Sequence, residues 1–125
     1  MSTQSSMTSK GMQHYKLVLP GHMNHQGSLF GGNLLLWIDE VAYMTADLQF
    51  PNCRLVTVAL DNVEFKHRID CGEIICFDVE LEKKGNSSLT YFISVSGTRK
   101  EVKMSLFETR ITFVSVDEEG KKQMI

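Results

Sequence analysis

One carboxylate in the central apolar segment of the sequence is a candidate catalytic group. Between residues 31 and 48 apolar residues recur at helical spacing, and Asn33, Glu40 and Asp47 mark the solvent-facing stripe of the predicted helix. Asp39 lies away from that stripe, on an arc of small and apolar residues made of Gly32, Leu35, Leu36, Tyr43 and Ala46. A carboxylate there costs free energy unless something compensates. Asp39 is therefore either a catalytic carboxylate or a structural one that caps or pairs with a loop donor or lies at a dry rim.

Two glycines at the start of the same helix could bind a carbonyl oxygen. Gly31 and Gly32 are each roughly 1 kcal/mol less favourable than Ala in a helix, which indicates a close approach to the backbone or a tight entry turn. Amides of a first helical turn stabilise negative charge on oxygen. Asp39 follows Gly31 by eight residues. Because that is about 12 Å of rise, both can act on one carbonyl only if two copies share each site, which predicts a dimer.

The elements that must position these groups form an α+β domain. Residues 1–11 are predicted to be a mobile tail and residues 12–125 a single domain. We predict a strand over 15–19, a Gly-rich loop, a helix over 31–48, and strands over 54–65, 73–83, 89–98 and 104–116. Short turns favour antiparallel neighbours. A sheet with one wet face and a single apolar helix packs by wrapping the helix.

Composition excludes several functional classes. The 125 residues are 42% hydrophobic, enough for a folded core, and the net charge of -2 argues against nonspecific nucleic-acid binding. The apolar runs are too short for a membrane span or a signal peptide. Three cysteines cannot all pair within one chain, so we expect free thiols and a cytoplasmic location.

The motifs together resemble acyl-CoA thioester hydrolases of the hotdog superfamily, of the cytosolic type. The resemblance rests on LPGHMNHQGSLFGGNLLLWIDEVAYMTA, on VTVALDNVEF and on GNSS, and on the spacing of Asn24, Gly27, Phe30, Gly31, Gly32, Leu35 and Asp39. It implies a hotdog fold, in which a curved antiparallel sheet wraps one long helix. It also implies active sites between the subunits of a homodimer, which can assemble further into a tetramer or hexamer.

The resemblance assigns roles to the catalytic candidates. Asp39 would be the general base or nucleophile, Asn24 would orient water or the thioester, and an amide of Gly31 or Gly32 would polarise the carbonyl. An activated thioester needs no metal or organic cofactor for this chemistry. His22 and His25 lack a nearby third ligand, so a metal site is not expected. The expected reaction releases free CoA and a carboxylic acid.

Substrate contacts are predicted at three places. The turn containing Asn86, Ser87 and Ser88 resembles the family's pantetheine turn, although a plain hairpin turn has the same composition. The run Phe65–Lys66–His67–Arg68 could bind the CoA phosphates or be a solvated charge run, and Arg54 is a further candidate. The acyl chain is expected along the helix near Leu35, Trp37 or Tyr43, unless these are core or interface residues.

Two other functions remain open from the sequence. One is a hotdog dehydratase or hydratase of 3-hydroxyacyl thioesters. The segment Pro20–Gly21–His22 faintly resembles a loop of that branch. The other is a non-enzymatic acyl-CoA binding module. Acyl length is not indicated by any residue pattern.

Overall fold

The protein folds as a five-stranded antiparallel sheet wrapped around one long helix. The structure is a computed structural model that describes residues 10–99 and 102–125. Its elements are β1 (Gly11–Leu17), a short 3-10 helix (Pro20–His22), α1 (Gly31–Gln49), β2 (Arg54–Phe65), β3 (Ile74–Lys84), β4 (Ser88–Arg99) and β5 (Val102–Val116). The predicted fold class and element order are confirmed.

The strands lie in the order β1-β3-β4-β5-β2, so β1 and β2 form the two edges. Alternation in β3 places Ile75, Phe77 and Val79 on the face that the helix covers, where all three are buried. Tyr91 and Ile93 of β4 line the same core. Burial of apolar area at about 25 cal/mol per Å² is the main force that holds the helix in the concave face.

The first strand begins earlier than the sequence predicted. Residues 1–9 of the predicted tail lie outside the described residues, but Gly11 is buried in β1. A Cβ at this position would lie 1.8 Å from the Val79 carbonyl oxygen, so only glycine fits. The strand ends at Leu17 because Val18 turns into the core and donates its amide to the Glu73 carbonyl at 2.9 Å. The predicted strand limits 15–19 are therefore corrected to Gly11–Leu17.

Both ends of α1 are fastened to the rest of the fold. At the N-terminal end, the carbonyl of His22 accepts hydrogen bonds from the Phe30 amide at 3.0 Å and from Asn33 Nδ2 at 2.9 Å. At the C-terminal end, the Tyr91 hydroxyl donates to Gln49 Oε1 at 2.6 Å. Burial raises the pKa of Tyr91 far above its ordinary value, which keeps this donor protonated. The helix therefore holds its side chains at fixed positions relative to the sheet.

The helix has an apolar face that the sheet does not cover. Leu34, Ile38 and Ala42 pack into the core, whereas Leu36 and Tyr43 are 53% and 42% exposed.

Among residues 10–99 and 102–125, no helix combines the length and hydropathy needed to cross a bilayer.

Candidate active site

Asp39 lies on the exposed apolar face of α1, between Leu36 and Tyr43. Its carboxylate is half-buried, and Oδ1 accepts a hydrogen bond from the Thr57 hydroxyl at 2.8 Å. The partner is thus a strand residue and not a loop donor. Of the small and apolar residues around Asp39, Gly32, Leu36 and Tyr43 are exposed in one chain, so this carboxylate borders a surface that a substrate or a second protein can reach.

Thr57 is a site residue that sequence reasoning missed. It pairs with the buried Phe113 of β5 and shares the helix-facing side of β2 with Leu55. The alternation of VTVALDN contains this signal, because residues two apart on a strand share a face. What the sequence lacked was the order of strands that puts β2 beside Asp39.

The backbone conformation at the start of the helix does not require its two glycines. Positive φ angles occur at Gly27, Gly72 and Gly120, and not at Gly31 or Gly32. A Cβ on Gly32 would meet nothing within 4 Å, and one on Gly31 would lie 3.4 Å from Phe65 Cζ. No side-chain cap hydrogen bond is made at Phe30. The amides of this first turn lie where an outside oxygen could reach them.

Asn24 is held in a closed turn that leaves its side-chain nitrogen, Nδ2, to donate. Its Oδ1 accepts from the Gln26 amide at 2.9 Å and the Ser28 amide at 3.2 Å. The backbone amide of Asn24 donates to the Ser28 carbonyl at 2.7 Å. Phe30, two residues after Ser28, is the N-cap of α1. Since Oδ1 is occupied by the turn, Nδ2 is the atom suited to contact a substrate oxygen or water.

The predicted phosphate-binding run lies beside this glycine end of the helix. A cavity of about 310 Å³ is lined by Ser28, Leu29, Leu34, Phe65, Lys66, His67, Arg68 and Ile69. Phe65 is 53% exposed and packs on Phe107 with ring centroids 4.9 Å apart. Lys66 pairs with Glu108 at 3.2 Å, and Arg68 pairs with Asp70 at 3.1 Å. The structure thus brings Asn24, the glycines and this run together at one end of β2.

The other predicted substrate contacts lie at the opposite end of β2. Asn86, Ser87 and Ser88 form the β3–β4 turn, where the Ser87 carbonyl accepts from the Ser115 amide at 2.8 Å. Arg54 pairs with Val116 at the start of β2. Within one chain, these residues are therefore not assembled with Phe65, Lys66 and Arg68.

The remaining sequence candidates have visible structural roles. His22 accepts from the Leu19 amide at 2.9 Å and stacks edge-on against Trp37 at 4.7 Å, and Trp37 is buried. Leu35 is half-buried against the core, and Tyr43 touches Phe113. In the part of the chain that the structure describes, no cluster of three or more His, Cys, Asp or Glu residues could hold a metal ion.

Comparison with known families identifies the family of this chain. The family model described as thioesterase superfamily matches residues 26–103, which include Gly31, Asp39 and Thr57. The chain belongs to the thioesterase superfamily. Two relatives are acyl-coenzyme A thioesterase 11 of mouse, 33% identical over 90% of this chain, and the uncharacterized acyl-CoA thioester hydrolase YkhA of Bacillus subtilis, 31% identical over 83%. The chain spans 19% of the mouse protein and 61% of the Bacillus protein.

Solved thioesterase structures share the fold. The acyl-CoA hydrolase of Staphylococcus aureus, solved with butyryl-CoA and CoA, has a TM-score of 0.84 and 28% identity, covering 97% of this chain and 74% of that one. A hexameric hotdog thioesterase of Campylobacter jejuni has a TM-score of 0.80 and 29% identity, covering 90% and 87%. This thioesterase-superfamily chain therefore has the hotdog fold.

Variants of the Staphylococcus enzyme were made at three residues whose spacing is similar to that of Asn24, Asp39 and Thr57 here. Structures of that enzyme exist with an asparagine, an aspartate or a threonine changed to alanine. Its asparagine and aspartate lie fifteen residues apart, as Asn24 and Asp39 do here. Its threonine follows the aspartate by seventeen residues, against eighteen for Thr57.

Proposed function

We propose that this protein hydrolyses acyl-CoA thioesters to free CoA and a carboxylic acid, with Asp39 as the catalytic carboxylate. The observation that carries the proposal is the Asp39 carboxylate itself, which Thr57 orients on an exposed apolar helix face. Such a face suits an acyl group, and the carboxylate suits a water that attacks the carbonyl carbon. The membership in the thioesterase superfamily supports the same reaction.

Two copies would share each site through their β2 edges. In one chain Asp39 lies beside Thr57, and Gly31 lies beside Phe65, eight residues farther along β2. An antiparallel pairing of two β2 strands centred near Asp61 brings Thr57 of one copy opposite Phe65 of the other. Asp39 of one copy would then lie beside the glycine amides of the other, which removes the separation of about 12 Å along one helix.

Further features of β2 support this pairing. Val56 and Val58 are 41% and 55% exposed on the edge strand, and an unpaired apolar edge favours a partner strand. The same register would bring Arg54 of one copy opposite Arg68 of the other, uniting the two separated groups of predicted CoA contacts. We propose a homodimer as the minimum unit, with assembly to a hexamer as in the Campylobacter relative.

In the proposed mechanism, Asp39 removes a proton from water while the hydroxide attacks the thioester carbonyl carbon. The amides of Gly31 or Gly32, with Asn24 Nδ2, would bind the oxyanion of the tetrahedral intermediate. The C–S bond then breaks, CoA leaves as a thiolate and takes up the proton that Asp39 removed, and the carboxylic acid is released. Every step uses groups of the chain and needs no added cofactor. A single turnover in oxygen-18 water tests the base role, because Asp39 would acquire the label if it formed an anhydride that water then attacked at the Asp39 carboxyl carbon.

The pantetheine amides of CoA would contact the β3–β4 turn at Asn86, Ser87 and Ser88. The nucleotide end of CoA would contact Phe65, Lys66, Arg68 and Arg54. The three cysteines are free thiols, in keeping with the proposed cytoplasmic location.

The test is release of free thiol from a panel of acyl-CoAs, from acetyl to palmitoyl, by the wild type and by Asp39→Asn. We expect the variant to lose roughly a hundred- to ten-thousand-fold in kcat while its circular dichroism and oligomeric state remain unchanged. Asp47→Asn, an acidic position two turns along the same helix, is the matched control and should keep wild-type activity. Full activity in Asp39→Asn would refute the role of Asp39.

The same protein preparation separates the other two functions. Hydration of crotonyl-CoA without thiol release would favour the dehydratase class, whose expected histidine, His22, is here engaged with the Leu19 amide and Trp37. Tight acyl-CoA binding without thiol release would favour a binding module. Either result would overturn the hydrolase proposal.

A further inference from the structure

The guanidinium of Arg68 bridges the end of β2 and the turn that contains Asn24. One terminal nitrogen of Arg68 donates to the Gly27 carbonyl at 2.7 Å, and Nε donates to Asp70 Oδ1 at 3.1 Å. A planar guanidinium can satisfy two acceptors in fixed directions, whereas a lysine ammonium is a single flexible point of charge. Arg68 is thus already oriented by the protein's own groups.

The bridged turn is tied to residues 68 and 69 on both of its sides. Gly27 has a φ of 80°, a left-handed conformation that favours glycine. The turn closes on itself through the Asn24 bonds, and its far side is tied where the Leu29 amide donates to the Ile69 carbonyl at 2.8 Å. Arg68, the residue before Ile69, holds the near side through the Gly27 carbonyl. Residues 68 and 69 therefore hold both sides of the turn through hydrogen bonds.

We propose that Arg68 is a positioning residue for Asn24, and that its contact with the Gly27 carbonyl keeps the Asn24 amide nitrogen in place for the thioester. The inference rests on the proposed function of the site. Displacement of a catalytic donor by about 1 Å can lower a rate by up to about a hundredfold. Loss of one partly exposed charge-assisted bond permits a smaller shift, and we expect a roughly five- to tenfold loss in kcat.

A substrate without a nucleotide separates this role from phosphate binding. Arg68→Met and Arg68→Lys are assayed with an acyl-CoA and with the matching acyl N-acetylcysteamine thioester, which lacks phosphates. A positioning role lowers kcat for both substrates, and Arg68→Lys recovers only part of the loss because it cannot hold Gly27 and Asp70 together. An increase in KM confined to the acyl-CoA, with kcat unchanged, would overturn the proposal.

Amide hydrogen exchange tests the positioning directly, without chemistry. Arg68→Met should speed exchange at the Gln26 and Ser28 amides, which donate to Asn24 Oδ1. Arg110→Met is the control: it removes an exposed bidentate arginine pair, with Glu82 at 2.7 and 3.0 Å, that lies away from the turn. It should leave exchange in the turn and activity unchanged. Equal exchange in Arg68→Met and wild type would overturn the proposal. If the wild type hydrolyses no thioester, the proposed function fails, and exchange alone decides the role of Arg68 in the turn.

Discussion

At the scale of single residues, the hydroxyl of Thr57 decides how Asp39 can act. It occupies Oδ1 at 2.8 Å, which fixes the plane of the carboxylate and leaves Oδ2 for a water. A neutral donor orients the carboxylate without placing a cation beside it. Under the proposed function, this arrangement suits a base or nucleophile.

Replacement of Thr57 by valine should separate orientation from charge. Thr57→Val keeps the shape and removes the donor, so we expect roughly a tenfold loss of kcat with the fold retained. Thr57→Ser restores the hydroxyl and should recover most of the rate. Steady-state kinetics on one acyl-CoA, together with thermal unfolding, checks both. Equal rates in the valine and serine variants would contradict the orienting role.

Replacement of Gly32 by alanine should raise stability and lower activity. A Cβ there meets nothing within 4 Å in the chain, and alanine is favoured over glycine in a helix by up to about 1 kcal/mol. The same methyl group would obstruct an oxyanion that approaches the first-turn amides. We expect a higher midpoint in urea unfolding with a reduced kcat. A variant with unchanged kcat would show that no reacting oxygen approaches this amide.

At the scale of elements, a histidine joins β1 to α1 in its neutral form. The Thr45 hydroxyl donates to the Val41 carbonyl at 2.8 Å, so at its 3.0 Å contact with His14 Nε2 it must accept. The proton of His14 therefore lies on Nε2. Burial lowers the pKa of His14 below its ordinary value of 6.5, because the charged ring would lose hydration.

This histidine should make stability depend on pH. The unfolded chain binds the His14 proton at higher pH than the folded chain does, so acid favours unfolding. The contribution is fully present above 6.5 and is lost as the pH falls from 6.5 toward the lowered pKa. Urea unfolding of the wild type between about pH 5 and pH 8 should show this decline, and His14→Gln should flatten it. An unchanged slope in His14→Gln would assign the decline to other groups.

The elements differ in how far the sequence determines them. The helix and β2–β5 were predicted within two residues at each end, because hydrophobic periodicity and turn residues are local signals. β1 was placed four residues late, since the need for glycine at position 11 comes from the Val79 carbonyl on a distant strand. The sequence made Asp39 a candidate because it departs from the helical pattern. It did not make Thr57 a candidate, because the position of Thr57 relative to Asp39 depends on which strand lies beside the helix.

At the scale of the whole molecule, shared sites predict complementation between two damaged chains. Asp39→Asn and Asn24→Ala should each be inactive alone. In a mixed dimer, one site combines both substitutions and the other has neither. Random mixing makes half the dimers mixed, so co-expression should restore about a quarter of wild-type activity. Thiol release from the co-expressed pair measures this. No recovery, despite mixed dimers detected by mass spectrometry, would place each site within a single chain.

The separation of Asp39 from the glycine amides along α1 also has a consequence for the cell. Under the shared-site proposal, a newly made chain has no complete site until it meets another copy. At low expression the amount of working enzyme would rise with the square of the chain concentration, and at high expression in proportion to it. Because the helix holds the catalytic groups apart, thioester turnover would then stay low until the chain concentration is high enough for dimers to form.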